Sequence, residues 1–422
     1  MLRKLRAGAI TMLALLSPVL ATTAHAVTFT VQTTADAPDA RPDGRCAARL
    51  PAVRIGLGPP LRCTLRAALQ EAGRLPRADV SVPEGRYRVD RPLLLTLTSS
   101  RATVIVSGAG RDITRIDGGR RTPVLVIRGP GPATGLVKLQ FLSIERGRVS
   151  GAAATARAST PRSAGGIWTD FPLMLQLVRL QDNLARPPAG ARSVPSSLAA
   201  LSSVAVYDTL VDGGFGDSAL YVGGGGLIDR TAVIRSRRSS AADGRNSVVV
   251  VDGPALRIAN STLEEGDIVG RVIDSRQRDV VPGVDLDHVT IRGTRELLRV
   301  RDLTPDASGV ARLGPSAPMR VRDSILVGTC FAGSFGSAPP GTLVVSQGGN
   351  VGTSPTCVAG GPGDLVVPDA GLGELEFAGS VPMFAPQPGS PALGHAIGCT
   401  EYDGLGRFRP ATGCDSGAVE VG

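Results

Sequence analysis

The sequence of 422 residues has few aromatic residues, almost no lysine and only three histidines. Aromatic residues make up 3% of the chain, and Trp168 is its single tryptophan. Only Lys4 and Lys138 are lysines among the 46 basic residues, so arginine carries the formal net charge of +9. These arginines are spread singly and are not interleaved with aromatic residues, which argues against a nucleic-acid-binding surface. We therefore expect no nucleic-acid partner.

Long apolar runs are absent after the first 26 residues, so no later stretch is predicted to span a membrane. Residues 1–26 have a basic start, an apolar run from Ala7 to Leu20 and the small-residue exit Ala24-His25-Ala26. This pattern is typical of a secretory signal peptide. No anchor-like segment precedes Gly422. We expect a protein that is secreted or released into the periplasm.

Zinc-type cysteine spacings are also absent, and we expect no metal site. The chain has six cysteines, an even number, and disulfide bonds are the default in an exported protein. Sequence alone does not fix the pairing, but pairing each cysteine with its sequence neighbour suits a solenoid, whose contacts are local. The predicted disulfide residues are Cys46, Cys63, Cys330, Cys357, Cys399 and Cys414.

The chain does contain a loose repeat of seven strand-like segments between Val137 and Leu326. Apolar and polar residues mostly alternate within each segment, which predicts a strand with one buried face. A unit of this size cannot bury that face alone, so the units must stack. The predicted fold is all-β, a single-stranded right-handed parallel β-helix. The last strong apolar residues of the segments are Ile144, Leu180, Val211, Ile234, Leu263, Ile291 and Leu326.

Five small polar residues follow the alternating part of these segments and are predicted to share one aligned position. Residues of these types favour a bend and bond neighbouring backbone groups, so we expect a stacked polar ladder at a turn. A line of metal ligands or catalytic acids is the alternative, and we favour the structural interpretation. The five residues are Asp208, Thr231, Asn260, His288 and Asp323.

Beyond the signal segment, residues 27–75 are predicted to form a first strand, a loop and a short helix. Thr64 is a suitable N-cap and Gly73 a suitable stop for that helix. The helix would cover the open end of the first coil, which otherwise exposes apolar core. Residues 76–422 are predicted to form the β-helix and a C-terminal cap held by a disulfide.

Two stretches resemble a known family. Cys63-Thr64-Leu65-Arg66-Ala67-Ala68 is similar to the Cys-Ser-Leu-Arg-Glu-Ala motif of bacterial secreted pectin-lyase-like β-helix proteins, with Ala67 in place of Glu. The segment from Ser390 to Glu420 resembles the closing motif of the choice-of-anchor Q domain. The resemblance implies a parallel β-helix and does not specify an activity. Within the closing motif we expect a salt-bridged cap formed by Asp403, Arg409, Asp415 and Glu420.

Candidate site residues are few. The glycine-rich patch after residue 207 suggests Asp212 and Asp217, with Asp208 nearby, as an acid and base for glycoside cleavage. Gly-Asp turns are common, so we favour a turn role for these residues. Trp168 is the candidate platform for a sugar, although packing within its strand is the favoured interpretation.

We rank three functions. The first is a non-catalytic exported protein of the glycan-contact or adhesion type, with polysaccharide or cell-surface glycan as partner. The second is a polysaccharide lyase or glycoside hydrolase, and the third a structural extracellular component. The chain lacks the Arg-x-Pro-x-x-Arg motif of pectate lyases and the Asp-Asp pair and Gly-His-Gly triplet of polygalacturonases. We expect a monomer without cofactors, with Ca²⁺ only in the lyase alternative.

Overall fold

A computed structural model describes residues 26–50, 61–150, 161–186, 194–238, 248–253, 255–265, 268–272, 283–302, 319–331, 344–358, 360–377 and 379–421. The predicted signal segment thus lies outside the described residues, apart from Ala26. The described chain is all-β with one short helix, and its strands stack in parallel columns. The prediction of a parallel β-helix is confirmed.

Three long columns of parallel strands form the faces of the solenoid. Sheet 1 comprises Val27–Thr30, Arg77–Val82, Thr103–Gly108, Leu136–Gln140, Leu173–Gln176, Val204–Tyr207, Gly226–Asp229, Leu256–Ala259, Val284–Asp287, Met319–Arg322 and Val344–Gly348. Sheet 2 comprises Gly85–Arg88, Thr114–Asp117, Ser143–Glu145, Arg179–Gln181, Leu210–Asp212, Ala232–Ile234, Thr262–Glu264, Thr290–Asp302, Ile325–Phe331, Val351–Gly352 and Leu365–Val366. Sheet 3 comprises Leu93–Thr96, Leu125–Arg128, Ile167–Thr169, Pro195–Ala200, Ser218–Val222, Val249–Val251 and Ile268–Val272, and it joins sheet 2 through Thr290–Asp302.

Three smaller sheets accompany these columns in the described part of the chain. A short column lies between sheets 2 and 3 and comprises Arg148–Ser150, Leu184–Arg186, Phe215–Gly216 and Arg237–Arg238. Two antiparallel pairs complete the strands, Ala48–Arg49 with Leu61–Arg62 near the N-terminus and Leu372–Phe377 with Pro382–Pro386 near the C-terminus.

The interior is a continuous apolar column, because alternate side chains of every sheet point inward. Six of the seven residues predicted to stack belong to one buried cluster: Ile144, Leu180, Val211, Leu263, Ile291 and Leu326. The prediction for Ile234 is wrong. Its neighbour Val233 pairs with Val211 and Leu263, whereas Ile234 pairs with Asp212 and packs outside the coil against the C-terminal cap. Because this strand ends with two consecutive apolar residues, the sequence pattern does not show which of them points into the coil.

In the coils that begin with Leu136–Gln140 through Leu256–Ala259, single residues in the left-handed backbone conformation make both sharp turns, and they also make the first turn of the later coils. The first turn joins sheet 1 to sheet 2, and the second turn leaves sheet 2 toward sheet 3. At the first turn these residues are Phe141, Leu177, Asp208, Arg230, Asn260, His288, Asp323 and Gly349, with φ between 46° and 67°. At the second turn they include Arg146, Asp182, Gly213, Arg235 and Glu265. Because the turn needs one such residue per coil, it tolerates many residue types at some cost in backbone energy.

The predicted capping helix is present as Leu65–Ala72. Oγ1 of Thr64 accepts the N–H of Ala67 at 3.1 Å, as an N-cap does. Leu65 and Leu69 are buried in the main apolar cluster, so the helix covers the first coil.

The closing motif forms the predicted C-terminal cap. Nη1 of Arg409 lies 2.9 Å from Oε2 of Glu420, and the Arg409 side chain is fully buried. Asp403 accepts backbone N–H groups of Leu405, Arg407 and Glu420, which fixes the turn of the cap.

Each cysteine is bonded to its neighbour in sequence, as expected for local solenoid contacts. The disulfides are Cys46–Cys63, Cys330–Cys357 and Cys399–Cys414.

Candidate functional site

An open groove follows the second turns of successive coils. We call it the second-turn groove, and its lining includes Arg120, Asp182, Arg186, Asp212, Arg235 and Arg237. Its volume is about 800 Å³. The lining residues come from coils stacked at the strand spacing of about 4.8 Å, so the groove extends over roughly 20 Å. That length suits an extended ligand better than a single ion.

Asp212 lies at the floor of the groove, at the end of a sheet 2 strand. It is 2% exposed, and two arginines hold it. Nη2 of Arg179 lies 3.1 Å from its Oδ2, and Nε of Arg235 lies 2.7 Å from its Oδ1. Both carboxylate oxygens of Asp212 are thus already bound by guanidinium groups, and neither is directed at a ligand in the groove.

Three arginines at the rim of the groove are unpaired. Arg120, Arg186 and Arg237 are exposed. Among the residues that the structure describes, none is within ion-pairing distance of an acidic side chain. Two other acids of the groove are partly engaged, because Glu264 accepts the N–H of Arg235 and Glu265 accepts the hydroxyl of Thr294. The lining as a whole contains four arginines and four acidic residues, Asp182, Asp212, Glu264 and Glu265, so the groove has no net formal charge. The three unpaired arginines are separate cationic points along it.

Asp208 and Asp217, the other candidate acids, have structural partners. Asp208 is the left-handed residue of a first turn, and Arg230 of the next coil binds both its oxygens, at 2.8 and 3.0 Å. Asp217 is 8% exposed and accepts the N–H of Val194 at 3.2 Å. Asp208 and Asp212 thus belong to different turns of the coil, and only Asp212 lines the groove.

Trp168 does not present an open aromatic face. The side chain is 7% exposed, and its Nε1 donates to the carbonyl of Pro161 at 3.1 Å. The guanidinium of Arg128 lies 5.2 Å from the ring centre and covers it. This environment favours the packing interpretation of Trp168.

The polar ladder of the first turn is present, with one correction. Asp208, Asn260, His288 and Asp323 occupy the left-handed position, whereas Thr231 lies one residue later and Arg230 takes its place. The hydrogen-bonded ladder is formed mainly by that later position. There Ser261 and Ser324 accept backbone N–H groups from the preceding coil, at 3.1 Å each, and their hydroxyls bond the carbonyl two residues back.

Near the C-terminal end of the solenoid, charged side chains at two successive first turns form a buried cluster. Asp287, His288 and Asp323 are buried and each place a potential metal-ligating atom within 4.8 Å of the others. However, Oδ2 of Asp287 accepts from Arg257 and Arg322 at 2.6 Å each, and its Oδ1 lies 2.9 Å from His288 Nδ1. Both oxygens are therefore occupied, and two adjacent guanidinium groups repel a cation.

The pKa values of these two carboxylates are shifted in opposite directions. Burial alone would raise the pKa of Asp287, but hydrogen bonds from His288 and Arg322 outweigh it and hold the pKa well below its usual range. Burial raises the pKa of Asp323, and the N–H of Ile397 offsets this only in part. The cluster therefore keeps one carboxylate firmly ionised and makes ionisation of the other costly.

Sequence reasoning missed the groove arginines and the burial of the cluster. The arginines lie at equivalent second turns, but their sequence spacing is irregular because loops of different length intervene. The cluster is buried by the cap, whose position depends on contacts more than 70 residues away in sequence, such as that of Ile397 with Asp323.

The fold and the groove define the class of the protein as a disulfide-bonded parallel β-helix with an arginine-rimmed groove on its second turns. Comparison of the chain with protein-family models, curated proteins and solved structures gives no match. Among the described residues, no helix has the length and apolar character needed to cross a membrane. The three disulfides are consistent with an extracellular or periplasmic location.

Proposed function

We propose that this protein is an exported β-helix of the kind its terminal motifs resemble, and that it binds an anionic polysaccharide in the second-turn groove without cleaving it. The observation that carries the proposal is the set of three unpaired arginines, Arg120, Arg186 and Arg237, along one extended groove. Guanidinium groups bind carboxylate, phosphate and sulfate oxygens through paired hydrogen bonds.

A polymer suits this groove because its positive groups are spread over several coils. The three unpaired arginines come from three different coils, so a chain of repeating anionic units can contact several of them at once. Each exposed contact is weak by itself. Several contacts on one polymer add up, because the second and later contacts are effectively intramolecular.

The surroundings of Asp208 and Asp212 support the proposal of binding without cleavage. A glycosidase needs one carboxyl group that carries a proton and a second one that is free to act as base or nucleophile. Asp212 is clamped by Arg179 and Arg235, and Asp208 by Arg230. Neither arrangement leaves a carboxyl group free for proton transfer to a substrate.

Binding can be tested on a glycan array and by affinity electrophoresis with polymers that carry carboxylate, sulfate or phosphate groups. The mature protein should bind anionic polymers and ignore neutral ones. Replacement of Arg120, Arg186 and Arg237 by Ala should weaken binding by at least about tenfold. A matched triple variant at exposed arginines elsewhere, Arg77, Arg91 and Arg101, should bind as the parent does. Equal loss in both variants, or no anionic ligand at all, would reject the groove as the binding site.

Cleavage is tested separately. The protein incubated with pectin, alginate or other uronate polymers and Ca²⁺ should release no unsaturated products and no new reducing ends. Accumulation of either product would overturn the non-catalytic assignment and make the lyase or hydrolase alternative the leading one.

A further inference from the structure

The Cys399–Cys414 disulfide has an unusual neighbour beside its buried sulfur atom. Cys414 is fully buried, and its Sγ lies 3.9 Å from Nε2 of His288. The other ring nitrogen, Nδ1, lies 2.9 Å from Oδ1 of Asp287. Because the Asp287 carboxylate is an acceptor, Nδ1 donates to it and Nε2 presents its lone pair to the sulfur. Carboxylate, imidazole and sulfur therefore form a chain of successive contacts.

Cys414 Sγ also lies 3.6 Å from the carbonyl oxygen of Gly398, so the imidazole is an additional neighbour of this sulfur. The sulfur atoms of the other two disulfides have no such imidazole beside them among the described residues. Their polar neighbours in the described part of the chain are backbone carbonyl oxygens. A carbonyl oxygen carries partial negative charge and disfavours a thiolate, whereas an imidazole accepts the thiol proton and then stabilises the thiolate as an ion pair. The contacts are Cys46 Sγ and Cys63 Sγ with Thr64 O, at 3.7 and 3.9 Å, and Cys357 Sγ with Gly328 O, at 3.8 Å.

We propose that Cys399–Cys414 is a thiol–disulfide exchange site that is reduced by a dithiol. Cys399 is partly exposed, so a thiolate of the reductant can attack its Sγ. A bond forms between these two sulfurs, the Cys399–Cys414 bond breaks, and Cys414 leaves with the electron pair. The second thiolate of the reductant then attacks the mixed disulfide and releases Cys399. The dithiol is oxidised to a disulfide, and its two protons pass to the two cysteines or to His288.

His288 lowers the energy of the leaving group in this step once Nε2 has taken up a proton released by the dithiol, because the imidazolium can then donate that proton to the departing Cys414 sulfur. A sulfur leaves faster, and the reduced state is more stable, when its thiolate is stabilised. The charged groups that face the ring are Asp287, Asp323 and Arg322, and Arg257 holds Asp287 from the neighbouring coil. Asp287 is fixed by both guanidinium groups, so it keeps the ring aimed at Cys414.

Opening this disulfide would loosen the segment between the two cysteines, which is part of the C-terminal cap. The cap also binds the first turn directly. The N–H of Ile397 donates to Oδ1 of Asp323 at 2.7 Å, and that of Gly417 to the carbonyl of Asp323 at 2.8 Å. Because these contacts flank the disulfide on both sides, reduction should increase the mobility of the loop and leave the coil below intact.

The test is a titration of the oxidised full-length mature protein with dithiothreitol, followed by differential alkylation and peptide mass spectrometry of each cysteine. Cys399 and Cys414 should be half-reduced at about tenfold less reductant than the other four cysteines. In His288→Asn this difference should disappear. Asn is a suitable replacement because Asn260 occupies the equivalent turn position. His395→Asn is the matched control and should behave as the parent.

Reduction of all three disulfides together, or of Cys399–Cys414 last, would overturn the proposal. So would an unchanged titration of His288→Asn. If that variant does not fold, Cys399→Ser gives an independent measurement, since it leaves Cys414 as a free thiol beside a native His288. Thiolate absorbance at 240 nm should then appear at a pH clearly below the ordinary cysteine pKa of about 8.5. Absorbance that rises only above that pH would equally reject the site.

Discussion

The first and second turns of the coil use the same backbone conformation for different purposes. Asn260 at a first turn has φ 47°, and Asp182 at a second turn has φ 51°. Toward the C-terminus the cap covers the first turn, and its polar side chains are buried and hydrogen-bonded there. The second turn stays open, and its charges line a groove. The comparison shows that burial by the cap, and not the turn itself, decides whether a polar side chain stabilises the fold or is free to bind.

The largest expected effect is on the cap that covers the first turn. Arg409→Ala leaves Glu420 as a buried carboxylate without its cation, which should cost about 3–5 kcal/mol of unfolding free energy. Denaturant unfolding followed by circular dichroism measures this loss. Arg407→Ala, two residues away and exposed, is the control and should change stability by less than about 0.5 kcal/mol. Similar values for both variants would contradict a structural role for the buried pair.

The next prediction compares the two turns directly. Asn260→Ala and Asp182→Ala both remove a residue that tolerates the left-handed conformation, so this cost is shared. Asn260 in addition donates to Asp229 and accepts from Thr400, each at 3.0 Å. Asn260→Ala should therefore be the more destabilising by about 1–3 kcal/mol in denaturant unfolding. An equal loss at the two positions would show that the cap contributes nothing at Asn260.

The fold could be predicted from sequence because every strand that faces the interior must alternate apolar and polar residues. Alternation of residues such as Val284 and Leu286 predicts strands, and a unit that cannot bury its face alone must stack. The failure at Ile234 has a physical reason. Both Val233 and Ile234 are buried, one inside the coil and one beneath the cap, so apolar character alone does not give the register.

The candidate site was less predictable because it depends on contacts between residues that are far apart in sequence. Asp212, a candidate acid from its sequence context, does line the groove, but its two arginine partners lie 33 and 23 residues away in sequence. Pairing across coils converts a candidate catalytic acid into a structural ion pair. Unpaired arginines can be recognised only once the paired ones are known, and sequence does not supply that information.

The dependence of stability on pH distinguishes the buried carboxylates of the first turn. Burial raises the pKa of Asp323, so the folded state holds a proton at pH values where the unfolded chain has lost it. Its contribution to stability therefore falls as pH rises above about 4, the usual aspartate pKa. Asp323→Asn keeps an acceptor for Ile397 and should gain stability relative to the parent as pH rises from 4 to 7. Denaturant unfolding at both pH values measures this, with Asp182→Asn as the control.

Asp287 should show the opposite behaviour, because its pKa is lowered in the folded state. The stability that it contributes is present above about pH 4 and is lost as pH falls further. A relative gain of Asp323→Asn that is the same at pH 4 and pH 7 would contradict the assignment of a costly ionisation to Asp323.

The smallest expected effect on stability is at the second turn. Arg120, Arg186 and Arg237 are exposed, so replacing each by Ala should change the unfolding free energy by less than about 0.5 kcal/mol. The same replacements should reduce binding of an anionic polymer, and salt should weaken the parent's binding because these charges are screened. Thermal unfolding and affinity electrophoresis on the same preparations separate the two effects. A clear loss of stability at these positions would mean that the second turn, like the first, is structural, because an arginine kept for binding contributes little to folding.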